Sequence, residues 1–217
     1  MSTPPIGQGR SPRADAQRNR DHILDTAAQY FSEHGVAGSL DAIAKKAGVG
    51  AGTLYRHFPN REALLAALLT ARDEELVSRR NAIRAGTADA ASGLEDWLTA
   101  LIEWAGAFDG LPEPLRAATS SQSSPLGITC QGYITTTDEF LLAAQQEGSA
   151  RHEVRGRDLF LAALATSWVR DAAMADEFSA QALNSLTKNG WATSIGGELG
   201  RPASSTTPHA AKTPPRR

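Results

Sequence analysis

Between Ser39 and Leu68 the chain reads SLDAIAKKAGVGAGTLYRHFPNREALLAAL, and this stretch leaves the fold little choice. Ser39 is a good N-cap, and Leu40, Ile43, Ala44 and Ala47 follow it at helical spacing. Gly48 stands just past the last apolar position, where a helix end favours a residue that tolerates positive φ. A second short helix starts near Gly50 and carries Thr53, Leu54, Tyr55, Arg56 and His57 to Phe58. Pro59 ends it, because the residue before a proline is pushed out of the α region. Asn60 caps a third helix, with Glu62 in its first turn near the positive end of the dipole. Helix, glycine-bearing turn, helix is the helix-turn-helix pattern. Its second helix offers small residues first, then Thr, Tyr, Arg and His, which suits a helix set end-on into a DNA major groove.

The rest of the chain is arranged around that unit. Ala16 to His34 is expected to form a helix stopped by Gly35, with Ile23, Ala27 and Phe31 making its inner stripe. Residues 1–15 hold three prolines and two glycines and are expected to form a disordered arm; Arg10 and Arg13 on it, with Arg18 and Arg20 just beyond, could reach phosphates. From Asn60 a helix should run to about Arg84, and residues 86–92 read as a loop. Further helices are expected over Gly93–Phe108, from Pro112 to about Ser121, from Pro125 to about Glu147, and over 157–174 and 176–190. The run Thr135, Thr136, Thr137 lowers helix propensity inside the helix expected from Pro125 to about Glu147. Residues 196–217 are rich in Gly, Pro, Ser and Thr and should form a disordered tail. No sustained two-residue alternation occurs, so the fold class is all-α. The division is a helix-turn-helix domain at 16–62 and an all-helical body at 63–195, which 41% hydrophobic content over 217 residues can supply with a core.

Charge is sorted along the chain. Residues 10–72 carry +3, residues 73–200 carry −9 and residues 201–217 carry +4, within a net −2. A mildly basic N-terminal module on an acidic body fits DNA contact through one end. The single Cys130 leaves no internal disulfide and fits a reducing compartment. No run of about 18 apolar residues and no apolar leader core is present, so a cytoplasmic protein without a membrane partner is expected.

The stretch AIAKKAGVGAGTLYRHFPNREALL, preceded by a helix ending Phe-Ser-Glu-His-Gly at 31–35, resembles the TetR family of transcriptional regulators. The family pattern A-x-x-A-G-V-x-x-G-T-L-Y-x-H/Y-F-x-x-[KR]-E-x-L is matched nearly throughout. Gly50 departs from it, where many members place a serine cap. Motif-level likeness covers roughly residues 16–70. The resemblance implies a homodimer on a palindromic operator, most often a repressor, released when an unknown small-molecule effector binds the helical body. A transcriptional activator, or a regulator without an effector, is the alternative.

The residues and the resemblance meet on the second helix. Ala51 and Gly52 allow close backbone approach to a duplex, where helix N–H groups can meet a phosphate. Thr53 can donate to a phosphate or touch a thymine methyl, and Arg56 is the candidate for guanine readout. The resemblance makes Tyr55 a phosphate contact and His57 a second backbone contact. Lys45, Lys46 and Arg61 are expected positioning contacts, and Ser39 could add a phosphate bond. In the body, Trp97, Trp104, Phe108, Cys130, Tyr133 and Thr137 are candidate linings of the family's ligand cavity, although aromatics at this spacing also serve as plain core. Leu161, Leu164, Trp168, Leu183 and Leu186 are candidates for the dimer interface. The five histidines do not make metal spacing with Cys130 or paired carboxylates, and no phosphate-cradling loop or nucleophile elbow is present. No cofactor, no metal and no catalytic residue is therefore expected. An enzyme built on the helical body is the remote alternative.

Overall fold

The computed structural model describes residues 12–121, 123–172, 176 and 178–193. Most of the expected arm, the expected tail, and residues 173–175 lie outside these. The order is α1 (Pro12–His34), α2 (Leu40–Lys46), α3 (Ala51–His57), α4 (Arg61–Gly86), α5 (Ala90–Ala105), α6 (Pro112–Ala118), α7 (Pro125–Gln146), α8 (Gly156–Asp171) and α9 (Ser179–Trp191). Among the described residues the only extended pairing is an isolated bridge between Ala150 and Ala192. The fold is all-α.

Short-range chemistry sets the first four helices. Ser39 Oγ accepts from Ala42 N–H at 3.4 Å, and Asn60 Oδ1 accepts from Ala63 N–H at 2.8 Å. At the end of α2, Gly48 takes φ +65, which lets Val49 N–H reach Ala44 O at 3.0 Å and Gly48 N–H reach Lys45 O at 3.1 Å. The inner faces then close on one another: Ile23, Ala27 and Phe31 of α1, Ile43 of α2 and Leu54 of α3 are fully buried, with Phe58 beside them. α1 starts at Pro12, four residues before the expected Ala16, since a proline fits the first turn of a helix and Asp15 suits its dipole. Residues 12–15 of the expected arm are thus helical.

α4 leads from this unit into the body, where Leu64, Leu65, Leu68, Leu69 and Leu76 are buried. α5 lies at the centre of the body, packed on α4, α7 and α8, while α6 covers α8 and α9 flanks it. α5 begins at Ala90 and not at Gly93, because Asp89 caps it, accepting from Ser92 N–H at 2.8 Å. It ends at Ala105, three residues before the expected Phe108, and α6 stops at Ala118 instead of Ser121. α7 runs through its threonine triplet unbroken. Each hydroxyl donates to the carbonyl four residues back, Thr135 to Gln131, Thr136 to Gly132 and Thr137 to Tyr133, at 3.0, 3.1 and 2.8 Å.

Candidate nucleic-acid interface

α3 presents one face outward and locks the other. Leu54 and Phe58 anchor it in the core, while Ala51, Gly52, Tyr55 and Arg56 are exposed and Thr53 and His57 are half-buried. Its N-cap, Gly50, offers no side-chain bond; its carbonyl accepts from Thr53 and Leu54 at 2.8 and 3.2 Å, so the N–H groups of Ala51 and Gly52 precede the first intrahelical bond. A Cβ added at Gly50 or Gly52 would meet nothing within 4 Å. Packing inside the protein does not require these glycines, and the backbone there is open from outside.

The other expected contacts flank that face. Tyr55, 42% exposed, directs its hydroxyl at Asp41 Oδ1, 3.5 Å away in the first turn of α2. Ser39 Oγ already accepts from a backbone N–H, which leaves its own O–H to donate. Lys45 is exposed, whereas Lys46 pairs with Glu33 Oε2 of α1 at 3.0 Å. Arg20 places its guanidinium over the Phe58 ring, 5.2 Å from the centroid, and Arg18 pairs with Asp15. Arg61, expected as a positioning contact to DNA, also has an internal role: its Nη1 donates to the carbonyls of Val36 and Gly38. Asp41 and Glu33 escape a reading of the sequence because their partners lie 14 and 13 residues away, on neighbouring helices.

Four of the six expected cavity residues come together in the body. Trp97 Nε1 donates to Thr137 Oγ1 at 3.0 Å, Trp97 stacks on Phe140, and Trp104 lies against Tyr133 with ring centroids 4.5 Å apart. Tyr133 donates to Asp73 of α4, and burial first, then that carboxylate, pushes its phenol pKa up. Trp104 Nε1 is buried with no acceptor among the described residues. Phe108 and Cys130 lie elsewhere: Phe108 packs edge-on against Phe31 of α1, and Cys130 sits under α6 with its sulfur 3.7 Å from Leu115 O. A cleft of about 110 Å³ over Trp104 is lined by Arg72, Glu75, Arg79 and Glu103. A larger one of about 450 Å³ lies between α6 and α8, lined by Arg116, Leu161, Leu164 and Trp168.

Of the expected interface residues, Leu164 is buried within the chain, Leu161 and Leu183 are half-buried, and Trp168 and Leu186 stand out at 54% and 68% exposed. Leu164 is thus core in the single chain, one turn before the exposed Trp168 on the same side of α8, and both border the cleft between α6 and α8.

Burial pushes the Cys130 thiol up from 9.0 to about 12. The unfolded chain loses this proton near 9.0 while the folded chain keeps it, so the unfolded state binds fewer protons in between. Unfolding free energy is therefore expected to fall as pH rises above 9.0, with the contribution intact below it. Denaturant titrations at pH 8 and pH 10 check the sign, against a Cys130→Ala variant that lacks this part of the slope. The native thiol should also resist iodoacetamide at pH 8 and react once the chain is unfolded.

Comparison with known proteins agrees with this arrangement. The model of bacterial regulatory proteins of the tetR family matches residues 23–68, and that of the SbtR-like transcriptional regulator C-terminal domain matches residues 89–193. The transcriptional regulator UidR of Escherichia coli K12 is 38% identical over 68 residues, 31% of this chain and 35% of that protein, so the likeness spans about a third of that relative. The structure of the TetR regulator SCO0520 from Streptomyces coelicolor is 32% identical over 81% of this chain and 99% of its own length, with a TM-score of 0.53. The ketosteroid transcriptional regulator KstR2 of Mycobacterium tuberculosis, 23% identical over 87% of this chain and 98% of its own, shares the fold at a TM-score of 0.52. With a full-length likeness at that identity and a family model on each part of the chain, the protein belongs to the TetR family and is a DNA-binding transcriptional regulator, not an enzyme.

Proposed function

We propose that the protein is a cytoplasmic homodimer that represses transcription from a palindromic operator and leaves it when a small-molecule effector enters the helical body. The observation that carries the DNA side is the outward face of α3, where bare backbone at Gly50 and Gly52 meets Thr53, Tyr55, Arg56 and His57 with no packing demand on the glycines. Thr53, Tyr55 and His57, with Ser39, Lys45 and Lys46, fix the duplex backbone, and Arg56 reads a guanine. Trp168 and Leu186, exposed on the last two helices, support pairing about a two-fold axis, which spaces two α3 helices for half-sites about 34–36 Å apart. The effector reading rests on the buried indole N–H of Trp104, which has no acceptor among the described residues and which a polar ligand atom would satisfy.

A binding titration on DNA from the protein's own upstream region tests this reading. A specific complex should weaken with salt at a log–log slope of about −0.9 per neutralised phosphate. Changing Arg56 to Ala should relax preference at one base pair per half-site, by about 1–3 kcal/mol, when every substitution of the half-site is measured. If all sequences weaken equally, Arg56 contacts phosphate instead. Promoter transcription in vitro separates repression from activation, and a compound screen on the complex that releases nothing would leave a regulator without an effector.

A further inference from the structure

The turn between α1 and α2 is gripped from two sides. On one side Val36 N–H donates to Asp109 O in the α5–α6 turn, at 2.9 Å. On the other, Arg61 at the first position of α4 donates to Val36 O and, at 2.7 Å, to Gly38 O. Val36 itself is 4% exposed. Gly35 has φ +69, and a Cβ there would lie 3.1 Å from both Asp109 O and Asp109 Oδ2. Gly110 meets the turn from the body: it has φ +75, so an alanine there is strained, and its Cβ would lie in contact with Val36, 3.4 Å from Cγ2. Two aromatic contacts back the same seam: Phe31 meets Phe108 at 6.2 Å, and the Arg61 guanidinium lies 5.9 Å from the Phe31 centroid.

We propose that the Gly35–Gly38 turn is the joint through which the helical body sets the orientation of the reading head, with Arg61 as its positioning residue and not a phosphate contact. α2 begins at Leu40, two residues beyond the carbonyl that Arg61 holds, so the turn fixes where the α2–α3 pair starts. The body reaches the same turn through Asp109, and α5, which carries Trp97 and Trp104, ends four residues before it. If Asp109 shifts and the turn does not follow, a buried N–H loses its partner, which is costly. The two turns therefore move together, and a rearrangement at the end of α5 is carried to α2 without passing along α4. Arg61 suits this role because one guanidinium reaches two carbonyls at fixed geometry, which a lysine cannot reproduce.

Five full-length variants test the joint: Gly110→Ala from the body side, Gly35→Ala in the turn, Arg61→Lys, Arg61→Ala, and Gly48→Ala as a control. Gly48 also has positive φ, but a Cβ there would meet nothing within 4 Å, so it carries the backbone strain without touching the body. Amide hydrogen exchange over residues 36–46 and 106–111 is read with affinity for the upstream DNA at fixed salt. Gly110→Ala should speed exchange at 36–46 and weaken binding by at least about fivefold, the low end of allosteric coupling, with the salt slope unchanged. Gly35→Ala should in turn loosen 106–111, while Gly48→Ala should leave 106–111 as in the wild type. Arg61→Lys keeps the charge and should still speed exchange at 36–38, with an unchanged salt slope. Wild-type exchange at 36–46 in Gly110→Ala, with affinity within twofold, overturns the joint. A lower salt slope for Arg61→Ala with undisturbed exchange returns Arg61 to the phosphates. The proposal rests on α3 being the DNA reader, and the exchange measurements keep the two apart: if the wild type failed to bind this DNA, the coupling between the two turns would still be read.

Discussion

Changing Tyr55 to Ala is expected to weaken binding to every DNA sequence by at least about 100-fold at fixed salt, while the fold and the dimer stay intact. The side chain is 42% exposed, and α3 is held by Leu54 and Phe58, which are buried independently of it. Its hydroxyl has only a long 3.5 Å approach to Asp41 Oδ1, so little internal structure depends on it. A hydrogen bond to a charged acceptor contributes about 1.5–3 kcal/mol, and a dimer on two half-sites loses two of them, about 3–6 kcal/mol in all. Because a phosphate is the same at every base pair, specific and non-specific duplexes should lose affinity together. Tyr55→Phe keeps the ring and should reproduce most of the loss. Fluorescence anisotropy on operator and scrambled duplexes of one length, with thermal melting as the folding check, reads both. A variant that binds as the wild type does would remove Tyr55 from the interface.

What could be read from the sequence follows the range over which the forces act. Ser39, Gly48, Pro59 and Asn60 act within one helical turn of themselves, and the first four helices form where those residues place them, apart from the earlier start of α1. Asp89 acts equally locally but was hidden, because Ala90, Ala91 and Ser92 give no apolar periodicity to mark a helix behind it. The internal bonds of Arg61 are hidden for a different reason. A cation at a helix start beside the reading helix looks like a phosphate contact, and the carbonyls it binds lie 25 and 23 residues earlier. The same holds in the body. The spacing of Trp97, Trp104 and Phe108 on α5 marks one apolar face, but only packing decides that Tyr133 and Thr137 meet the first two while Phe108 turns to α1.

Leu164 and Trp168 show where periodicity stops, since they sit four residues apart on α8 and yet one is 3% exposed and the other 54%. That contrast gives a sharp test of the dimer. A tryptophan offers about 150–250 Å² for burial, and at this exposure roughly 100 Å² remains on each chain for a partner to cover. At about 25 cal/mol per Å², two copies contribute roughly 5 kcal/mol to association. Trp168→Glu removes this contribution and adds a carboxylate that the seam would have to desolvate, so the dimer should weaken by at least about 1,000-fold. A monomer can hold one half-site only, and its affinity for the palindrome should fall toward non-specific values of about 10⁻⁴–10⁻⁶ M at physiological salt. Because the side chain is exposed within one chain, helicity and melting of the monomer should survive the change. Leu164→Glu should instead destabilise the body, since its charge would enter a site only 3% exposed. Sedimentation equilibrium with far-UV circular dichroism separates the two, and a Trp168→Glu protein that remains dimeric at micromolar concentration would place the interface on another face of the body.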